Sequence, residues 1–282
     1  MSFMIDFEQY AVIGDPIQHS ISPFLHKIIF DYFGDKNKIY SKLKITSDGL
    51  VYNFSLLKSN FRGFNVTSPH KSNIIKYLDE LDDFAKKVGS VNTVKVIGGK
   101  SYGFNTDGYG FLKGLGDFKN EIEGKSILVL GSGAVSKVVV NTLCSLNAKV
   151  VVGARDFEKL MTLKQFASSV CDGYELDIVP FDKIKGDYFG IINATSSYLS
   201  SFSEFNFSDL SISDFVYDLN YDKDGMTPFL CEFQNENVKI IDGSDMLFYQ
   251  GIKSQEIWRN KTIKEEDVNE LYELFKKFLT EA

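Results

Sequence analysis

A lysine, a carboxylate, two serines and a glycine turn carry most of the chemistry this sequence offers. Lys71 closes the run Asn65-Val66-Thr67-Ser68-Pro69-His70-Lys71, in which a strand ends and Pro69 is expected to open the next helix. That spacing puts the ammonium in the first helical turn, where the positive end of the dipole disfavours a cation by about several tenths of a kcal/mol. Electropositive surroundings depress an ammonium pKa toward a value useful for proton transfer; a solvated surface lysine is the alternative. Asp107, in Gly103-Phe104-Asn105-Thr106-Asp107-Gly108, is either a turn residue beside glycine or, where it meets Lys71, half of a charge-coupled acid/base pair. Ser20 and Ser22 offer two hydroxyls to an anionic or hydroxylated ligand, although Ser22, just before Pro23, is equally suited to cap a helix.

The glycine turn is Gly131-Ser132-Gly133-Ala134-Val135-Ser136, after the apolar run Ile127 to Leu130 and before a helix opening at Ala134. Gly131 lets the chain leave the strand tightly, and Gly133 lets a pyrophosphate approach the backbone. The helix then turns its free N–H groups and dipole toward that anion. The spacing is G-x-G-x-x-S, with Ser136 in the third small position, and alone it is a weak signal. A second apolar strand, Lys149 to Gly153, ends beside Arg155 and Asp156, at roughly the ~20-residue interval where dinucleotide domains place their ribose-binding residue. An acidic residue there binds a 2′-hydroxyl and an arginine accommodates a 2′-phosphate; this chain has both. Phe189 to Ser196 adds a strand ending in Asn193-Ala194-Thr195-Ser196, the kind of small polar loop against which ligands sit in an open α/β sheet.

The elements that must position these groups follow from periodicity. Strands are expected at Tyr10 to Gly14, at Ile39 to Ile45 and in a run ending in Asn65-Val66-Thr67, with helices at Pro23 to Phe33, around Gly49 to Ser59, and over Leu78 to Val88. The first helix should bury Leu25, Ile28, Ile29 and Phe33. A hairpin at Gly98-Gly99 and a link over Phe111 to Gly124 lead into the nucleotide unit. Beyond it come strands at Asp214 to Tyr221 and Val238 to Ile241, a helix begun by Thr227-Pro228, a helix from about Asp245 and an amphipathic helix over Glu265 to Phe278. Along the Asp245 helix, Met246, Leu247, Ile257 and Trp258 suit a core, and Gln250 is the polar residue free to point elsewhere.

The length of 282 residues suits two domains, and 44% apolar with 24% charged residues is ordinary globular composition. A net charge of −7 argues against a nucleic-acid or polybasic membrane surface. Cys144, Cys171 and Cys231 are widely spaced without a CxxC, so neither disulfides nor a zinc site is indicated; they are expected as small core residues, and no metal is expected. No apolar stretch approaches a membrane span, and the first residues lack the pattern of a secretion signal, so a cytoplasmic location is expected.

Taken together, Ile13 to Pro23, Asn65 to Lys71, Gly89-Ser90-Val91-Asn92-Thr93 and Gly103 to Gly108 resemble the signature motifs of the shikimate dehydrogenase (shikimate/quinate dehydrogenase) family. The glycine turn, Asn193 to Ser196, Thr227-Pro228 and Gly243 to Gln250 continue the match in the family's order along nearly the whole chain. The resemblance implies an α/β protein of two domains. An N-terminal α/β substrate domain, residues 1–107 with C-terminal helices returning to it at 243–282, accompanies a Rossmann-like dinucleotide-binding domain at 108–242. It implies reversible reduction of 3-dehydroshikimate to shikimate with a nicotinamide cofactor, in aromatic amino-acid (chorismate) biosynthesis. Lys71 and Asp107 would be the catalytic pair. Ser20 and Ser22 would hold the substrate carboxylate, Thr67, Asn92 and Gln250 its ring hydroxyls, and Tyr221 would line the site. The cofactor would meet Gly131, Ser132, Gly133, Ala134, Val135, Ser136, Arg155, Lys159, Thr195, Leu219 and Gly243. The partner is then a small molecule, and the protein a monomer or homodimer.

Three departures bear on the cofactor. Ala134 stands where the family usually has a second consecutive glycine, and Ala154 and Asp156 replace the usual Asn and Thr around Arg155. A carboxylate near a 2′-phosphate weakens NADP binding and by the same logic admits NAD, while Arg155 and Lys159 keep NADP the expected cofactor. The competing readings are an NAD-dependent quinate/shikimate dehydrogenase, on which Ser22 bears because some quinate-using relatives carry Thr there, and a non-catalytic ring-acid sensor, which would not need both Lys71 and Asp107.

Overall fold

Strands buried on both faces need apolar residues at successive positions, and two separate sets of such runs build two sheets. The computed structural model describes residues 7–171, 173–195, 205, 207–222, 225–234 and 236–281. The chain divides into two compact units, Met1–Thr106 with Phe248–Ala282, and Asp107–Leu247.

In the first unit, β1 (Glu8–Gly14), α1 (Ser22–Tyr32), β2 (Lys38–Lys44), α2 (Leu50–Asn60) and β3 (Gly63–Val66) alternate along the chain. They are followed by β4 (Glu80–Leu81), α3 (Asp83–Val88) and the hairpin of β5 (Thr93–Ile97) and β6 (Lys100–Phe104). The sheet order is β2-β1-β3-β5-β6-β4. The pairs β2-β1, β1-β3 and β6-β4 are parallel and β3-β5-β6 antiparallel. Ala11, Ile13, Phe64, Val66 and Val94 form its core with Leu50, Phe54 and Leu57 of α2.

The second unit begins with α4 (Asp107–Gly114) and then alternates β7 (Ser126–Leu130), α5 (Ala134–Ser145), β8 (Lys149–Ala154), α6 (Phe157–Val170) and β9 (Asp177–Pro180). It continues with β10 (Gly186–Asn193), β11 (Leu210–Asp218), α7 (Pro228–Cys231) and β12 (Lys239–Ile241). The order β12-β11-β10-β7-β8-β9 is parallel throughout. Successive strands step one way from β7 to β9 and the other way from β10 to β12, so β7 and β10 flank the topological switch point where such sheets bind ligands.

Helices α8 (Ser244–Arg259) and α9 (Glu265–Glu281) complete the chain. Within the first unit, Trp258 of α8 donates its indole N–H to the Val94 carbonyl at 2.9 Å and packs 4.9 Å, centroid to centroid, from Tyr10. Leu271 and Phe275 of α9 are fully buried, and the Phe275 ring stacks on Phe248.

Several local expectations need correction. The residue before α1 is Ile21, with no side-chain cap; Ser22 is already helical, and its face buries Leu25, His26, Ile29 and Phe30 rather than Ile28 and Phe33. Pro69 opens no α-helix. The His70 N–H closes a turn onto the Thr67 carbonyl and the His70 ring is drawn inward to the Ile45 carbonyl at 2.6 Å, so Lys71 sits in a turn before a short 3-10 segment at Asn73–Tyr77. The helix-dipole argument for Lys71 therefore falls. The span Leu78 to Val88 divides, because Asp82 caps α3 by accepting the Ala85 N–H at 2.8 Å and the residues before it join the sheet as β4. Asp107 is no turn residue but the first residue of α4, where a carboxylate suits the dipole. Of the cysteines, Cys144 is buried but Cys231 is exposed. Ser196 lies outside the described residues.

Phe275→Ala should lower the stability of the protein by about 3–5 kcal/mol, the usual range for emptying a buried aromatic site. Denaturant unfolding measures it, and a loss under about 1 kcal/mol would show that α9 contributes little to the first unit.

Candidate functional site

The first unit gathers a chain of buried hydrogen bonds beneath its sequence-predicted binding residues. Ser20 Oγ lies 3.1 Å from Ser22 Oγ and accepts the Ser22 backbone N–H, so the two hydroxyls are together. The Ser22 hydroxyl also bonds the phenol of Tyr40. Tyr40 in turn donates to Asn65 Oδ1 at 2.7 Å, and its ring stacks on His26 with centroids 4.2 Å apart. Burial holds the His26 imidazole down at about 3, so it is neutral at ordinary pH. From Asn65 the amide group reaches the Asn92 carbonyl, Thr93 Oγ1 and Ser254 Oγ at 3.0–3.1 Å.

Asn92 is held from three sides. Its Oδ1 accepts the Thr106 N–H at 2.7 Å, its Nδ2 donates to Thr106 Oγ1 at 2.8 Å, and the same group lies 3.3 Å from Gln250 Oε1. The predicted residues Asn92, just before β5, and Gln250 of α8 are thus neighbours. Thr67 follows β3, and its N–H donates to the Ile13 carbonyl. Lys71 is half-buried, with its own carbonyl accepting the Val91 N–H at 2.8 Å. Asp107 belongs to the second unit and is 4% exposed.

In the second unit the glycine turn lies at the carboxyl end of β7. Gly131 has φ of +114°, a conformation that disfavours a side chain, and a Cβ there would also stand 3.0 Å from the Ala194 carbonyl oxygen. A Cβ on Gly133 would meet open space, which leaves room for an anion at the N-terminus of α5. Ser136 is fully buried and accepts the Gly133 N–H, so the third small position fastens the turn. Ser132, Ala134 and Val135 are half-buried along the same turn. Arg155 is exposed just beyond β8. Asp156 does not stand free beside it: its carboxylate caps α6 by accepting the Lys159 N–H and pairs with the Lys159 ammonium at 3.0 Å. Those bonds hold its carboxyl below the usual range.

Thr195 and Gly243 are tied, through Asn193 and Asn220, to a buried carboxylate next to Leu219 that the motifs do not single out. Asp218 Oδ1 accepts from Asn193 Nδ2 and from the Asn220 N–H and amide at 2.9–3.0 Å, and Oδ2 accepts the Thr227 hydroxyl at 2.6 Å. Burial pushes this carboxyl up, against the pull of those donors. Tyr221 is half-buried shortly beyond β11.

The match to known proteins is close. Residues 12–94 fit the family model described as the shikimate dehydrogenase substrate binding domain. The chain is 36% identical over 257 residues to the shikimate dehydrogenase (NADP(+)) of Staphylococcus haemolyticus, covering 90% of this chain and 93% of that protein. The chain belongs to the shikimate dehydrogenase family. Another member, from Aquifex aeolicus, is 38% identical over 253 residues, covering 88% and 90% of the two chains. The crystal structure of an Aquifex aeolicus shikimate dehydrogenase superposes with a TM-score of 0.81 at 34% identity, over 94% of this chain and 97% of that one. A Thermus thermophilus shikimate dehydrogenase solved with NADP(H) and shikimate gives 0.79 at 26% identity, over 95% and 100%.

Within this member of the shikimate dehydrogenase family, sequence reading missed Tyr40, Asn65, Ser254 and Asp218. Asn65 lies inside the Asn65 to Lys71 motif, where its residue type alone signals no role. Tyr40 carried no local signal, since its partners lie on another strand and another helix.

Proposed function

We propose that this protein is an NADP-dependent shikimate dehydrogenase, catalysing the reversible reduction of 3-dehydroshikimate to shikimate in chorismate and aromatic amino-acid biosynthesis. The observation that carries the reading is identity with named shikimate dehydrogenases along most of the chain. The first unit, with α8 and α9, is the substrate domain and the second is the dinucleotide domain. The enzyme is cytoplasmic and works on a small molecule as a monomer or homodimer.

Reducing a ketone requires hydride at carbon and a proton at oxygen. The nicotinamide cofactor supplies the hydride. Lys71 stabilises the developing alkoxide and gives it the proton, and Asp107 holds the lysine and the substrate hydroxyls. Ser20 and Ser22 take the substrate carboxylate; their mutual hydrogen bond supports that role by fixing the two hydroxyls as a pair. Thr67, Asn92 and Gln250 take the ring hydroxyls, and Tyr221 lines the site. The open space over Gly133 and the turn at Gly131 suit a pyrophosphate, which Ser132 to Ser136 would hold, and Thr195, Leu219 and Gly243 would contribute to the rest of the cofactor site. Arg155 and Lys159 take the 2′-phosphate, and the Asp156–Lys159 pair tempers that attraction.

Lys71→Ala should reduce kcat by about 10²–10⁴-fold, as expected for losing a proton donor, while the dissociation constant for shikimate changes little. Unchanged turnover would remove Lys71 from the chemistry. Asp156→Ser keeps a capping side chain but releases Lys159 and removes a negative charge, so KM for NADP should fall about three- to tenfold with that for NAD unchanged. Equal changes for both cofactors would mean that Asp156 does not bear on the 2′-phosphate.

A further inference from the structure

Asp218 ends β11 at 1% exposure, and among the described residues its hydrogen bonds all come from neutral donors, those of Asn193, Asn220 and Thr227. We propose that Asp218 is the positioning residue of the cofactor side, fixing Thr195, Leu219 and Gly243 in one arrangement. The proposal rests on the NADP reading above and goes beyond it, because Asp218 itself is not assigned to the ligand.

A carboxylate only accepts hydrogen bonds, so it dictates which way its amide partners face. Asn193 must turn Nδ2 toward Asp218, and its Oδ1 is then presented to the Thr195 N–H at 3.1 Å and the Thr195 hydroxyl at 2.7 Å. The Asn220 amide does the same work from just beyond β11, reaching Asp218 Oδ1 at 2.9 Å and the Thr195 carbonyl at 3.0 Å. The Asn220 carbonyl accepts the Gly243 N–H at 2.9 Å. Gly243 lies so close to Leu219 that a Cβ would stand 2.3 Å from the Leu219 carbonyl oxygen. One carboxylate therefore ties the segments that follow β10, β11 and β12. The same β10 loop rests on the glycine turn through Ala194, so a shift at Thr195 is also felt at Gly131.

Asp218→Ala leaves the amides of Asn193 and Asn220 without the acceptor that orients them. Asp218→Asn is the conservative control: its Oδ1 still accepts from Asn193 and Asn220, and its NH2 donates to Thr227 Oγ1, because a hydroxyl accepts as well as donates.

The full-length wild type, Asp218→Ala and Asp218→Asn are compared in shikimate oxidation with NADP, with both KM values and the melting temperature measured for each. Asp218→Ala should raise KM for NADP about tenfold while KM for shikimate stays within about twofold, and Asp218→Asn should recover at least about threefold of the loss. An unchanged KM for NADP in Asp218→Ala, an equal rise in both KM values, or an asparagine variant no better than the alanine variant would overturn the proposal. If Asp218→Ala does not fold, Asn220→Ala removes the amide bridge to Thr195 while keeping the backbone N–H to Asp218; KM for NADP should then rise about threefold, and no rise overturns the proposal. A wild type inactive with shikimate and NADP would refute the enzymatic reading instead. NADP affinity, measured by quenching of protein fluorescence on the same proteins, would then still decide the role of Asp218.

Discussion

Asn65 has one carbonyl oxygen and one amide group to place in a sheet where it is only 6% exposed. A buried polar group left unpaired costs about 1–3 kcal/mol, so its partners must be supplied by the fold. Tyr40 supplies the donor, and Thr93, Ser254 and the Asn92 carbonyl supply acceptors. Those partners come from β2, β5 and α8, so satisfying one side chain fixes three elements relative to one another. The serine pair at one end of the network and the Asn92–Gln250 pair at the other are held by the same bonds. The candidate binding groups of the first unit are therefore positioned by the hydrogen-bonded layer beneath them.

The second unit meets the same constraint with a charge. Its parallel sheet reverses order between β7 and β10, which opens a crevice at the strand ends, and polar residues that end those strands have to be paired. Asp218 gathers them. Burying a carboxylate among neutral donors is costly, and the rise in its pKa reflects that cost. What it gains is directional control of two amides. The glycine turn solves its own version of the problem, with the Ser136 hydroxyl taking a backbone N–H that the helix start would otherwise leave unpaired.

The fold class was legible because short, β-branched apolar runs such as Ile127 to Leu130 and Val150 to Val152, each closed by a glycine, suit strands of a covered parallel sheet. Irregular backbone was less legible. The dipeptide Ser68-Pro69 reads as a helix start, but the inward pull on His70 is a tertiary contact with Ile45 that no local pattern contains. Asp156 read as a charge beside a phosphate, whereas helix capping and Lys159 engage it. The candidate site residues lie in contiguous motifs, which is the form in which a sequence offers them. Their supports were not, because Tyr40, Asn65 and Ser254 are distant in sequence and meet only once the sheet and α8 have formed.

The central claim is the reaction itself. Shikimate oxidation followed at the nicotinamide absorbance, with NADP and NAD in parallel, tests it most directly. The account predicts turnover with shikimate and a higher kcat/KM with NADP than with NAD. No turnover of shikimate with either cofactor, in a protein shown to be folded, would contradict it.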